Sequence, residues 1–163
     1  MRTFTIKKSS GASRQIYAPS KKERRKYREL LPLLHATERK AADKAGTKAV
    51  AHGFVPGRSP VTCALPHIGP WKVTISCDIS SWFDSVKTEQ IKQGLLLGGM
   101  SEDTADDILK VITIDGAPRQ GLPTSPVAAN LAAVKLDETM LIMLPSFGSV
   151  YTRYADDLTI SLM

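Results

Sequence analysis

Cysteine is scarce in this chain, with two in 163 residues, Cys63 and Cys77. That excludes a disulfide framework, and Cys77 sits inside an apolar run, as a reduced residue of a cytosolic protein does. Histidine is nearly as rare, with three. Cys63 and His67 stand four apart, but the other His and Cys lie at scattered spacing and complete no zinc set. No apolar run is long enough to cross a membrane. The opening stretch, "MRTFTIKKSSGAS", lacks the apolar segment of a signal peptide. Internal repeats and low-complexity tracts are missing as well.

What is present is ordinary globular composition, 42% hydrophobic and 23% charged, in a length that suits one domain with a real core. The net charge of +6 leans toward a polyanionic partner.

Along the chain, residues 3–19 alternate loosely around Gly11 and predict a short hairpin. "SKKERRKYRELLPLLHATERKAADKAGTKAVAHG" predicts a helix with Leu30, Leu31, Leu33 and Leu34 on its apolar side. Pro32 is expected to kink or split it, and Gly53 to end it. Lys21, Lys22, Arg24, Arg25 and Lys26 make one end basic, which suits nucleic-acid backbone or a plain solvated face. "GFVPGRSPVTCALPHIGPW", rich in Gly and Pro, predicts mostly loop. "KVTISCDIS" reads as a buried strand ending in Asp78. Ser85 or Thr88 opens a helix that runs to about Leu97 and stops at Gly98-Gly99. Ser101 caps another to about Ile114, and Asp115-Gly116 marks a turn. "TSPVAANLAAVKLDETMLIML" is the clearest helix, with Ser125 suited to the N-cap and Pro126 to the first helical position. "SVYTRYADDLTISL" predicts two strands around a tight turn at Asp156-Asp157.

Adjacent aspartates repel, so Asp156-Asp157 is either an exposed turn or is held by something divalent and positive. Asp78 ends another strand. If these strands are sheet neighbours, three carboxylates converge at one edge. Such a cluster suits Mg²⁺. Two metals about 3.5–4 Å apart are the usual device for in-line phosphoryl transfer. Taken singly, each feature has the plain reading of a strand end or a surface turn.

Read jointly, "CDISSWFDSV", "RQGLPTSPVAAN" and "YTRYADDLTIS" resemble motifs A, B and C of reverse transcriptases, in the right order. "HGFVPGRSPVTCALPH" resembles the segment before motif A in bacterial retron reverse transcriptases, and "KKSSGASRQIYAPS" resembles their finger hairpin. "FDSV" is similar to the same block in group II intron reverse transcriptases. The resemblance covers nearly the whole chain. It implies an α/β (α+β) fold, with fingers over residues 1–70 and an incomplete palm over 71–163. That palm would be a split βαβ (ferredoxin-like) sheet with helices on one face, the thumb being absent.

The resemblance also implies roles. Asp78, Asp156 and Asp157, with the backbone carbonyl of Ile79, would hold two Mg²⁺ ions, for which Mn²⁺ is a possible substitute. Phe83 would fill the space a ribose 2′-hydroxyl needs; its plain alternative is core packing. Gln120, Gly121 and Pro123 would wall the incoming nucleotide, Gly121 letting backbone come close to a ligand. Lys8 and Arg14 would grip the triphosphate. Lys21, Lys22, Arg24, Arg25 and Arg58 would touch nucleic-acid backbone.

The implied function is that of an RNA-directed DNA polymerase in bacterial phage defence, located in the cytoplasm. Its partners would be a structured noncoding RNA as template and primer, the DNA product and dNTPs. The alternative is a degenerate domain that binds RNA or protein without polymerising. Cys63 stands where retron enzymes usually carry Asn in an Asn-Ala-x-x-His block. The chain ends six residues after Asp157, before the family's Val-Thr-Gly block, primer grip and thumb. An unpaired sheet edge is therefore expected, and a further chain or segment supplying the missing palm and thumb.

Overall fold

Ser20 starts the longest helix: its hydroxyl accepts from the Glu23 amide while the Glu23 carboxylate accepts from the Ser20 amide, a closed capping box. The helix, α1, runs Lys21–Lys44 in the computed structural model, which describes residues 1–7, 13–144 and 148–163. Pro32 lies inside α1 without splitting it, because the turns on either side are anchored by Tyr27, Leu34, Thr37, Glu38, Ala41 and Ala42. The apolar face expected from four leucines is therefore corrected. Leu34 is fully buried, Leu30 and Leu31 are partly so, and Leu33 faces solvent. The helix ends at Lys44, nine residues before Gly53, and Gly46 just beyond it takes a φ of +69° that suits a left-handed cap.

Two strands precede α1. β1 (Arg2–Lys7) and β2 (Ser13–Ala18) pair antiparallel as the predicted hairpin. It is exposed along most of its length and docks through Tyr17, which is buried with Tyr27 and Leu122. The segment expected to be loop contains a short helix, α2 (Pro60–Ala64), and a 3₁₀ turn at Leu65–His67. Ser59 and Thr62 cap α2 reciprocally and Pro60 sits in its first turn, so local capping wins over Pro/Gly content.

After β3 (Val73–Asp78) come α3 (Trp82–Ser85), α4 (Thr88–Leu97) and α5 (Glu102–Ile112, capped by Ser101). Next come a turn with positive φ at Asp115 and Gly116, and α6 (Ser125–Met143). The N-cap of α6 is Thr124, one residue before the expected Ser125. The Ser125 hydroxyl instead donates to the carbonyl of Arg119. The first ten residues of α6 are buried except Pro126, and this helix forms the centre of the core. Leu34 and Ala41 of α1, Ile91 and Leu95 of α4, and Ile108 and Ile112 of α5 join it in one cluster.

β4 (Ser149–Tyr154) and β5 (Asp157–Leu162) form the predicted hairpin, and β3 pairs antiparallel with β5 in the order β3-β5-β4. Tyr151 and Leu158 face Val50, with Met140 of α6 and Leu144 just after it packed alongside. β3 is not the buried strand expected. All six residues are exposed, because β3 lies at the sheet edge where neither face is covered. Val73 and Ile75 are about half exposed, and the edge beyond them is unpaired among the described residues.

Candidate active site

The register of the three-stranded sheet sets Asp78 opposite Asp157. Directly paired residues point to the same face, so both carboxylates leave the sheet on one side at one end. The hairpin that carries Asp157 turns through Ala155 and Asp156, between the paired Tyr154 and Asp157. Asp156 is thus the turn residue and Asp157 already begins the strand. Ala155 takes φ +59°, the left-handed conformation that tight two-residue hairpins use. The Ile79 amide donates to the Asp156 carbonyl at 3.0 Å, which ties the strand end after Asp78 to the turn.

Asp156 is half-buried, and its pKa is raised. Burial contributes most, with the charges of Asp78 and Asp157 and a side-chain hydrogen bond with Asp78 adding to it. Three carboxylates therefore share one sheet end at a cost. Among the described residues no three His, Cys, Asp or Glu side chains are gathered as a finished metal cage. The backbone brings the aspartates together without closing a coordination shell.

Beside Asp157 lies an open cleft of about 300 Å³, lined by Cys63, His67, Tyr154 and Thr159 among others. The two His67 ring nitrogens sit 2.8 Å from the hydroxyls of Ser161 and Thr152, so this ring fastens the 3₁₀ turn to the sheet. Burial lowers its pKa and favours the neutral ring. Cys63 places its Sγ 3.2 Å from the Thr152 hydroxyl.

Phe83 is half-buried against the main core, its ring centroid 6.4 Å from that of Phe54. The loop before α6 meets the finger hairpin: the Tyr17 amide donates to the Gln120 carbonyl at 2.8 Å. Gly121 has φ +102°, and a Cβ there would lie 2.1 Å from the Tyr17 carbonyl oxygen. The close approach that Gly121 permits is thus to another strand of this chain. Pro123 is half-buried in the same loop.

Arg14 is exposed on β2, and Lys8 lies outside the described residues. Lys21, Lys22, Arg24 and Arg25 are exposed on the first turns of α1, Arg25 paired with Glu29 at 2.9 Å. Arg58 stands apart from them. Its guanidinium donates to the carbonyls of Ala51 and Lys48 and pins the segment after α1.

No family model matches the chain. Retron Mx65 reverse transcriptase of Myxococcus xanthus is 33% identical over 177 residues, covering 98% of this chain and 40% of that protein. Retron Mx162 reverse transcriptase of the same organism is 33% identical, covering 98% and 35%. Retron Ec86 reverse transcriptase of Escherichia coli is 32% identical, covering 98% and 48%.

The chain belongs to the retron-type reverse transcriptases. It spans less than half the length of each of these relatives.

Two residues of this retron-type chain escaped the sequence reading. Arg119 donates to Asp84 at 3.0 Å and to the Ile114 carbonyl, and its guanidinium stands 6.0 Å from the Tyr17 ring centroid. It joins the loop before α6 to the stretch after β3. Arg153, two residues from the turn, is almost wholly buried. Strand alternation was the available signal, since Arg153 shares the inward face with Tyr151. No helix among the described residues is long and apolar enough to cross a membrane.

Proposed function

We propose that this retron-type chain carries the fingers and the catalytic palm segment of an RNA-directed DNA polymerase. The reaction would join deoxynucleotides to a primer 3′-hydroxyl on an RNA template. The observation that carries the reading is the register that sets Asp78 opposite Asp157, with Asp156 on the adjoining turn. On this reading residues 1–70 are fingers, residues 71–163 are palm, and β3-β5-β4 is part of a split βαβ sheet.

Carboxylate oxygens are the donors a hard divalent cation takes. The raised pKa of Asp156 comes first from burial, and the charges of Asp78 and Asp157 add a repulsion that a cation would relieve. Asp78, Asp156, Asp157 and the Ile79 carbonyl would hold Mg²⁺, or Mn²⁺ in its place. When bound, the metal would activate the primer hydroxyl and stabilise charge on the phosphate. The chain's own groups do the rest. The Phe83 ring excludes a 2′-hydroxyl. Gln120, Gly121 and Pro123 wall the nucleotide, and Lys8 and Arg14 hold its phosphates. Lys21, Lys22, Arg24 and Arg25 follow the backbone of a structured noncoding RNA and its DNA copy. Arg58 supports the segment behind Asp156 and is left out of that surface. Bacterial phage defence is the setting the family suggests.

The test is metal-dependent primer extension on a primed RNA template by the purified chain together with a chain or segment supplying the rest of the palm and the thumb. Asp78→Asn and Asp156→Asn are expected to abolish synthesis. The fold should hold or gain stability, since carboxylate repulsion is relieved. Undiminished synthesis by Asp156→Asn would sink the assignment. RNA binding without any synthesis by that completed assembly would favour the non-catalytic alternative.

A further inference from the structure

Arg153 is the largest fully buried side chain among the described residues. A guanidinium taken out of water is costly unless its donors are matched. Here they are. Nε and Nη2 fork onto the Asp137 carboxylate at 2.9 and 2.8 Å. Nη1 is divided between Asn130 Oδ1 at 3.0 Å and the Ala155 carbonyl at 2.9 Å. The Tyr151 hydroxyl donates to the same Asp137 oxygen as Nε, at 2.9 Å.

The last of the Nη1 contacts gives the network a direction. Ala155 is a non-glycine residue at φ +59°, a conformation that persists only where its surroundings hold it. Arg153 holds its carbonyl. Gly53 closes the opposite approach, since a Cβ on Gly53 would lie 2.3 Å from the Ala155 amide nitrogen. The Gly53 carbonyl in turn accepts from Asn130 Nδ2 at 3.0 Å, so Asn130 joins both halves of the clamp. The Arg153 backbone is tied in as well: its amide donates to the Val50 carbonyl and its carbonyl accepts from the His52 amide. The residue that leaves this clamp is Asp156.

Stability alone does not explain such an arrangement, because an apolar pair of similar volume often serves a core as well as a buried ion pair. We infer that Arg153 is a positioning residue: it fixes the left-handed turn at Ala155 and thereby aims the Asp156 carboxylate toward Asp78 and Asp157. The inference rests on the proposed reading of these aspartates as the polymerase centre. Lysine cannot do the same work, because a single ammonium does not span Asp137, Asn130 and the Ala155 carbonyl as a planar fork does.

The experiment compares the unaltered protein with Arg153→Lys and with the double variant Arg153→Met/Asp137→Leu. Three quantities are measured: the urea unfolding midpoint, hydrogen exchange of the Ile79 amide that bonds to the Asp156 carbonyl, and Mn²⁺ affinity by electron paramagnetic resonance. The double variant removes both charges of the buried Arg153–Asp137 pair and should unfold near the original midpoint. Its Ile79 amide should nevertheless exchange at least roughly 10-fold faster, and Mn²⁺ should bind about 10- to 100-fold more weakly, the usual effect of losing a group that orients a ligand. Arg153→Lys should show both losses while keeping the charge. In primer extension the deficit should fall on kcat more than on the KM for dNTP. Original exchange and Mn²⁺ affinity in either folded variant would overturn the inference and leave Arg153 as packing. Should the double variant fail to fold, Arg153→Lys decides on the same two readouts. Absence of Mn²⁺ binding by the unaltered protein would overturn the polymerase reading instead, and the Ile79 exchange would still decide the clamp.

Discussion

Phe83 is where packing and selection compete for one side chain. Its ring touches the core and tilts 47° to Phe54, so half of it is spent on holding α3 in place. The exposed remainder is what a sugar would meet on the proposed reading. Phe83→Val removes the outer ring and keeps a branched apolar stem. The expected result is a higher ratio of ribonucleotide to deoxynucleotide incorporation, by roughly 10- to 200-fold, the range a one-group change in a steric pocket covers. Single-nucleotide incorporation kinetics read it. An unchanged ratio in an active enzyme would mean that Phe83 only packs.

The crossing of α4 on α6 sets helix propensity against packing. Gly94 lies inside α4, where glycine costs about 1 kcal/mol relative to alanine. Propensity alone therefore predicts that Gly94→Ala stabilises. But a Cβ at Gly94 would lie 2.3 Å from the Leu131 carbonyl oxygen of α6, and a helix carbonyl cannot turn aside. Forcing a carbon into such a contact typically costs about 1–3 kcal/mol. Packing wins, and Gly94→Ala is expected to lower the urea midpoint; a raised midpoint would show that the helices have room. Pro32 teaches the same lesson in the other direction. Its local cost is real, yet α1 continues because Tyr27, Leu34 and Ala41 bury on both sides of it.

Over the whole molecule, acid should destabilise the fold through its histidines. His35, His52 and His67 all have pKa values lowered from 6.5, in each case chiefly by burial. Arg39 adds to this at His35, and Arg58 at His52. A base whose folded pKa is depressed is neutral in the fold while the unfolded chain binds the proton. Stability is therefore full above about pH 6.5, falls as the pH drops through that value, and levels off below the folded pKa values. Asp156 works with the opposite sign, because its raised pKa makes protonation favourable in the fold. The expected outcome is a lower urea midpoint at pH 5.5 than at pH 7.5, with His67→Gln reducing the difference. A flat profile would show that the three rings titrate as they do in the unfolded chain.

By itself the sequence determined most of the element order, α2 and α3 excepted, and set the three aspartates at the ends of strands. Strand alternation, the Ser101 cap, the Asp115-Gly116 turn and the Asp156-Asp157 pair are local signals, and local physics writes them within a few residues. It could not show that β3 is an exposed edge, because "VTISCD" reads alike whether or not another element covers it. Nor could it tell that Gly121 faces Tyr17 or that Gly53 faces Ala155, since close approach involves residues 104 and 102 positions apart. Arg153 is the clearest case. In the sequence it is one cation among 22. Only the folding of α6 and the segment after α1 around β4 gives its guanidinium Asp137, Asn130 and the Ala155 carbonyl at once. A buried charge is tolerated when all its partners arrive together, and that is a property of tertiary structure.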